Sequence, residues 1–241
     1  MSYNIRFGGR GREELIAAVI RDAAPDVVVL QEATDTRVVE RLSELTSMRH
    51  LAARRKHSVA CVSRVPIGSS TWHYHARLER AVLEVVVDGT RIFGVHLRAT
   101  HSNYTERGRM REVRAILDFV KRYENEFHLL AGDFNTLAPG ELLDMQKLPL
   151  KYKFLAFMLG GRITFRAIQL MIDAGYADCY RLFHKREDGF TFPARDPHVR
   201  LDYFFTPVSF AERLVGCDVM TSIVEPAKAT DHLPLIAEIA T

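Results

Sequence analysis

The chain has 241 residues, of which 47% are hydrophobic and 26% charged, with a formal net charge of +3. These proportions exclude a collagen-like, coiled-coil or wholly disordered chain, and the mild positive charge suits a polyanionic or phosphate-bearing partner without demanding one. Cys61, Cys179 and Cys217 are too few, and odd in number, for a disulfide framework and fit a reducing compartment. The start MSYNIRFGGR has no apolar signal core, and no apolar run is long enough to span a bilayer, so a cytoplasmic enzyme is expected.

In chain order, 3–7 reads as a short strand. It begins almost at Met1, where a strand that carries chemistry ordinarily has more chain ahead of it, so we expect a longer natural N-terminus or a frayed edge. Residues 12–24 read as a helix, with Leu15, Ile16, Val19 and Ile20 on one face and Glu13 and Glu14 in the first turn, where the helix dipole favours acids. VVVLQ at 27–31 is a strand rich in β-branched residues. A helix is expected over 36–47 and strands over 58–63 and 81–87. Asp88-Gly89 marks a tight turn into a hairpin partner at 91–97. A helical stripe of Met110, Val113, Leu117 and Val120 runs within 105–124. A strand at 127–131 leads into Gly132-Asp133. The stretch 139–175 reads mostly as helix, broken at Pro149 and Gly160-Gly161, and strands resume at 201–205, 215–220 and 233–239. No linker separates two cores. The pattern is one α/β domain over 1–241, with a helical insertion at about 137–175.

Polar residues sit where apolar runs end: Asn4 in YNIR, Glu32 in PDVVVLQE, His96 in IFGVHL, Asp133 and Asn135 in AGDFN, Asp202 in RLDYFF, and Asp231-His232 in ATDHLP. In α/β folds such ends gather side chains from distant segments at one rim. Glu32 leaves a buried strand as a carboxylate that needs a partner or water. A hard cation such as Mg²⁺ takes one or two carboxylates plus substrate phosphate. Asp133 and Asn135 are expected to alternate on one face of an extended stretch, one orienting water and the other donating to a phosphate oxygen. His96 and His232 supply further donors. Metal acceptors and anion donors together are what P–O hydrolysis requires. Taken singly, each residue has a plainer account: Asn4 bridging a strand end, His96 a satisfied core histidine, Asp202 an ion pair with Arg200 or Arg195, Asp231 a turn former.

In this order, YNIR, PDVVVLQE, GVHL, AGDFN, RLDYFF and TDHLP resemble the motifs of the endonuclease/exonuclease/phosphatase superfamily, with its deoxyribonuclease I-like fold, over residues 3–238. The resemblance implies two packed mixed β-sheets in a sandwich, with helices on both outer faces. It implies a Mg²⁺-dependent phosphoesterase, with Mn²⁺ as a substitute; of the substrate classes nucleic acid, phospholipid or inositol phosphate, and small phosphodiesters, the mild basicity puts a phosphodiester in nucleic acid first. Asn4, Glu32 and Asp231 then hold the metal, and Asp133 positions or deprotonates the attacking water. Asn135 and His96 contact the phosphate. His232 is catalytic, and Asp202 pairs with it and keeps its imidazole charged. His96 speaks against an abasic-site repair enzyme, which usually carries a tyrosine motif there. In related enzymes this histidine has an acid partner; Glu79 and Glu84 are both open. The family's aspartate shortly after the first-motif asparagine is not evident in YNIRFGGR.

Other features stay with simpler readings. His73 and His75 lack a third metal ligand nearby. Arg54, Arg55 and Lys56 read as a solvated loop. The apolar segment 148–160 reads first as packing at the domain edge, with an active-site lid, a lipid-touching helix or a dimer surface as alternatives; it keeps a phospholipid or inositol-phosphate substrate open. A catalytically dead binding module is the rival from another class, and no obligate protein partner is evident.

Overall fold

The structure is a computed structural model that describes residues 1–99, 102–141, 165–221 and 226–240. Its described strands are β1 (Ser2–Asn4), β2 (Val27–Gln31), β3 (His50–Ala52), β4 (Val59–Ser63), β5 (Ile67–His73), β6 (Val82–Val87), β7 (Thr90–His96), β8 (His128–Asp133), β9 (Tyr176–Asp178), β10 (Asp202–Pro207), β11 (Leu214–Val219) and β12 (Leu235–Ile239). They form two six-stranded sheets, ordered β11-β12-β1-β2-β4-β3 and β5-β6-β7-β8-β10-β9. The helices are α1 (Glu13–Ala23), α2 (Thr36–Thr46), α3 (Asn103–Val120), α4 (Ala167–Asp173), α5 (Cys179–Phe183) and the short α6 (Pro226–Ala229).

Three apolar layers hold the sandwich together. Between the sheets, Val29, Val59 and Cys61 of the first meet Leu83, Val85, Ala131 and Phe204 of the second. Ile16, Ile20, Val39 and Leu42 of α1 and α2 cover the outer face of the first sheet on Val28, Leu30 and Ala60. Val113, Ile116 and Met171 of α3 and α4 cover the second on Phe93, Leu130 and Phe205. Val28, Val29 and Leu30 are therefore all apolar because alternate residues face different layers, and neither face meets water. In α1 and α2 only one stripe is buried, which is the helical period read in the sequence.

Two observations correct the sequence reading. First, β1 stops at Asn4, and Arg6, Phe7, Gly8 and Gly9 all have positive φ, so the chain turns sharply instead of continuing as a strand. β1 also lies inside its sheet, paired to β12 and β2, and is not a fraying edge. Second, β3, β5 and β9 have no counterpart in the sequence reading. All three are edge strands, where one side of the ladder is unpaired and the apolar run shrinks; β5 carries exposed Gly68, Ser69, Ser70 and Thr71. Of the stretch 139–175, residues 142–164 lie outside the described residues; of the rest, Pro139 and Gly140 form a turn and 167–173 are helical, as α4. The apolar segment 148–160, with its breaks, lies outside the described residues. No helix among the described residues is long and apolar enough to cross a membrane.

Strand direction then sets the site. β1 runs parallel to β2, and β7 parallel to β8, while β12 and β10 run antiparallel to their neighbours. The C-terminal ends of β1, β2, β7 and β8 therefore share a rim with the N-terminal ends of β10 and β12. Register tightens this: His96 and Asp202 both pair with Asp133, on opposite sides of it.

Candidate active site

At that rim Asn4 is the hub. Its Nδ2 donates to Asp133 Oδ2 at 2.9 Å and, more weakly, to Glu32 Oε1 at 3.4 Å, so one amide bridges two carboxylates from different sheets. Asn4 Oδ1 accepts the Arg6 N–H, and its backbone oxygen accepts the Thr230 hydroxyl, which ties the segment before β12 to β1. Glu32 leaves β2 in a left-handed conformation and accepts the Phe7 N–H on Oε2 at 2.6 Å.

Asp133 is buried, with His96 Nε2 and His232 Nε2 each 3.9 Å from its Oδ2. Its Oδ1 accepts the Asn135 N–H at 2.8 Å. Asn135 has φ 52° and donates its side-chain amide to Leu97 O, so the expected alternation along an extended stretch is replaced by a tight turn folded back on Asp133. His232 Nδ1 meets Asp202 Oδ2 at 2.8 Å, and the other carboxylate oxygen, Asp202 Oδ1, is buried without a hydrogen-bond partner among the described residues. The arrangement thus pairs Asp202 with His232, not with Arg200 or Arg195. Arg200 is buried and engaged with Asp178 and Glu141, where it supports the loop before β10. Asp231 stands at the edge of the cluster, paired with Arg6 at 3.2 Å.

The two histidines are electrostatically opposite. For His232, burial opposes charge, but Asp202, through charge and hydrogen bond, with Asp133 and Asp231, outweighs it and pushes the pKa up to about 9. For His96, burial dominates, Arg80 and His232 add repulsion, and the pKa falls well below the ordinary imidazole value. Burial also lifts Asp133 to about 7; His232 and the hydrogen bonds from Asn135 and Asn4 pull it down, while Asp202 pushes it up.

Neither expected acid partner reaches His96. Glu84 is bound to His73 and Arg91, and Glu79 to Arg80. His96 Nδ1 instead meets the Ser58 hydroxyl at 2.5 Å. The Glu84 contact also accounts for His73, whose Nε2 meets Glu84 Oε2 at 2.6 Å and whose ring stacks on Phe119. Two further residues escaped the sequence reading. Buried Glu106 of α3 accepts the Thr136 hydroxyl and the backbone N–H groups of Arg166 and Ala167. Buried Glu112 accepts the N–H groups of Glu79 and Arg98. Together they fasten the loops beside His96 and Asn135. Their signal was charge on the inward stripe of α3: Glu106, Arg109 and Glu112 follow one another at helical spacing toward Val113 and Ile116.

A two-sheet α/β sandwich with carboxylates, amides and imidazoles gathered at one rim has the architecture of a phosphoester hydrolase. The chain belongs to the endonuclease/exonuclease/phosphatase family, whose family model matches residues 1–232. Solved structures agree on the fold. An AP endonuclease from Archaeoglobus fulgidus is similar with a TM-score of 0.76 and 18% identity, covering 100% of this chain and 98% of that one. A 3′ phosphatase from Neisseria, bound to a product DNA hairpin, is similar at 0.73 and 20%, covering 100% and 98%. An endonuclease/exonuclease/phosphatase from Beutenbergia cavernae is similar at 0.68 and 20%, covering 98% and 69%. The search of curated proteins returns no match.

Proposed function

We propose that the chain is a Mg²⁺-dependent phosphodiesterase acting on nucleic acid, with Mn²⁺ able to replace Mg²⁺. The observation that carries this reading is the Asn4 amide bridging Glu32 and Asp133, with His96, Asn135 and the His232–Asp202 pair around the same carboxylate.

The donor set suits a hard cation. Glu32 is partly exposed and its Oε1 is held only by a 3.4 Å contact, leaving an oxygen available. Burial, with a smaller push from Asp202, raises the Asp133 pKa, a cost to the buried carboxylate that a cation would relieve. Asp133, Asp202 and His232 also offer ligand atoms within 4.8 Å of one another. A His232 that holds its proton is a poor ligand, so Glu32 is the better anchor, with Asn4 beside it and Asp231 once it gives up Arg6. When bound, the metal supplies Lewis-acid polarisation of the phosphoryl group.

The protein's own groups divide the remaining work. Asp133, poised near neutrality, accepts the proton of the water whose oxygen attacks phosphorus as the ester P–O bond breaks, and the His232 imidazolium gives its Nε2 proton to the leaving oxygen. Neutral His96 and the Asn135 amide donate to the phosphoryl oxygens where charge develops. The DNA-bound Neisseria structure favours a nucleic acid substrate. The lipid alternative rests on 148–160, outside the described residues. Three buried, unpaired cysteines suit a cytoplasmic setting, and the core shared by both sheets supports reading 1–241 as one domain.

Hydrolysis of bis-p-nitrophenyl phosphate with and without Mg²⁺ tests the reaction. A panel of plasmid DNA, single-stranded RNA, sphingomyelin and inositol phosphates tests the substrate. Glu32→Gln should fold normally yet need at least about tenfold more Mg²⁺ for half-maximal activity, the scale on which weakened metal sites respond. Activity within twofold of the parent at low Mg²⁺ rejects the assignment. Ser58→Ala tests a subtler role. With the proton of the neutral ring of His96 on Nε2, facing Asp133, Nδ1 accepts from the Ser58 hydroxyl, and this hydroxyl then holds that tautomer. Its loss should lower kcat roughly tenfold, the order of one neutral hydrogen bond, with KM little changed. An equal loss in KM would mean that Ser58 binds substrate instead.

A further inference from the structure

Phe7 is out of place for an apolar side chain. Its ring is 79% exposed, directly beside buried Asn4 and partly buried Glu32. It is held there at two points. Its φ of 49° is a left-handed conformation that a residue with a Cβ adopts at a cost, and its N–H is bound to Glu32 Oε2 at 2.6 Å. A hydrophobic ring kept outward by a strained backbone tied to a site carboxylate is a feature to be explained by what it meets.

The ring stands between two clefts. One, of about 620 Å³, has Glu32, Ser58 and His96 in its wall; the other, of about 460 Å³, has Arg6, Arg195 and Asp231. Phe7 lines both. A second exposed ring, Tyr74, at 64%, lines the first cleft as well. It too is held: its hydroxyl meets His57 Nε2 at 2.6 Å, and His57 packs edge-on against both Trp72 and Tyr74. Lys56 and Arg80 line the same cleft, and Arg6 lies over the Phe7 ring. Fixed aromatic faces flanked by cations, at the mouth of a phosphate-handling centre, match a nucleotide better than a lipid. A base offers a π-face to stack, and its phosphates answer the cations. The first cleft is within the size range of small-molecule sites.

Resting on the phosphodiesterase reading above, we infer that Phe7 is a stacking wedge. It divides the substrate strand at the scissile phosphate, and an unpaired base on the His96 side is received between Phe7 and Tyr74. The enzyme on this view takes single-stranded or frayed nucleic acid, because a base within a duplex has no free face to offer.

The experiment uses the full chain in EDTA, where no hydrolysis interferes, and single-stranded tetranucleotides with 2-aminopurine at each position in turn. Stacking quenches this fluorophore. At one position the parent protein should quench strongly. Phe7→Ala should abolish that quench and weaken binding about tenfold or more, the size of one lost base–aromatic stack. Phe7→Trp should restore both, and Tyr74→Ala should weaken the same position. An abasic residue at that position should bind the parent and Phe7→Ala equally. No quench at any position, or a quench that survives Phe7→Ala, overturns the wedge. Circular dichroism of each variant separates these outcomes from misfolding. The bis-p-nitrophenyl phosphate assay keeps the two claims apart: turnover without base-dependent binding rejects the wedge alone, whereas no phosphoester turnover rejects the reading beneath it.

Discussion

Asp202→Asn is expected to lower kcat by about 10²- to 10⁴-fold, the range that a positioned proton donor contributes. The reasoning starts from burial. His232 lies at the centre of the rim, where removal from water alone would make its imidazole neutral. It is charged because Asp202 Oδ2 lies 2.8 Å from Nδ1, supported by Asp133 and Asp231, and the result is a pKa of about 9. An asparagine keeps the shape and removes the charge. Burial then dominates, and the ring loses its proton below the ordinary value of about 6.5. NMR titration of metal-free parent and variant shows this directly. The parent should hold the His232 proton past pH 8, and the variant should release it below about 6.5. The sign for stability follows. A raised histidine pKa contributes stability that is fully present below the unfolded value and is lost as pH rises through about 9. The parent should therefore exceed the variant in stability most at acidic and neutral pH, with the gap closing above pH 9. An unchanged His232 pKa in the variant would falsify the pairing as the source of its charge.

The same carboxylate explains why two histidines, similar in sequence, differ in state. His96 ends β7 and His232 precedes β12, each 3.9 Å from Asp133 Oδ2. Only His232 has an acid behind it; His96 has the hydroxyl of Ser58. The sequence shows both imidazoles, because each follows or precedes an apolar strand with a local motif. It does not show Ser58, because a serine at the start of a strand has no pattern of its own and meets His96 only through the packing of one sheet on the other. Glu84 looks like an acid partner in sequence, but it lies on β6, where His73, Arg91 and Tyr123 reach it. The interior strands were legible because burial on both faces leaves continuous apolar runs. Among the described strands, the edges β3, β5 and β9 were not, since they make only half a ladder and carry short or polar runs, whereas the edge strand β11 was legible over 215–220. The turn after Asn4 was hidden for a related reason. Arg6 and Phe7 have ordinary strand-compatible side chains, and their left-handed backbone is imposed by hydrogen bonds to Asn4 and Glu32.

Gly132→Ala should prevent folding or cost more than about 4 kcal/mol, the range reached when a close-packed site must move. The glycine sits in AGDFN at φ 154°, and a Cβ there would lie 1.8 Å from the carbonyl oxygen of Val95. That oxygen belongs to the backbone of β7, the parallel neighbour of β8, and Val95 and Gly132 are register partners. No side-chain rotation relieves the overlap, so β7 and β8 must separate. They carry His96 and Asp133 at the next register position, so the separation falls on the reaction centre. Gly89→Ala is the control. Gly89 also has positive φ, at 73°, but a Cβ there meets nothing within 4 Å. It should lose only about 1 to 2 kcal/mol, the ordinary strain of a left-handed alanine. Urea unfolding of both variants compares backbone strain with strain plus collision. Equal losses would mean that β7 and β8 can part without cost. In that case the proximity of His96 to Asp133 would not depend on glycine, and the Gly132→Ala variant would keep parental activity.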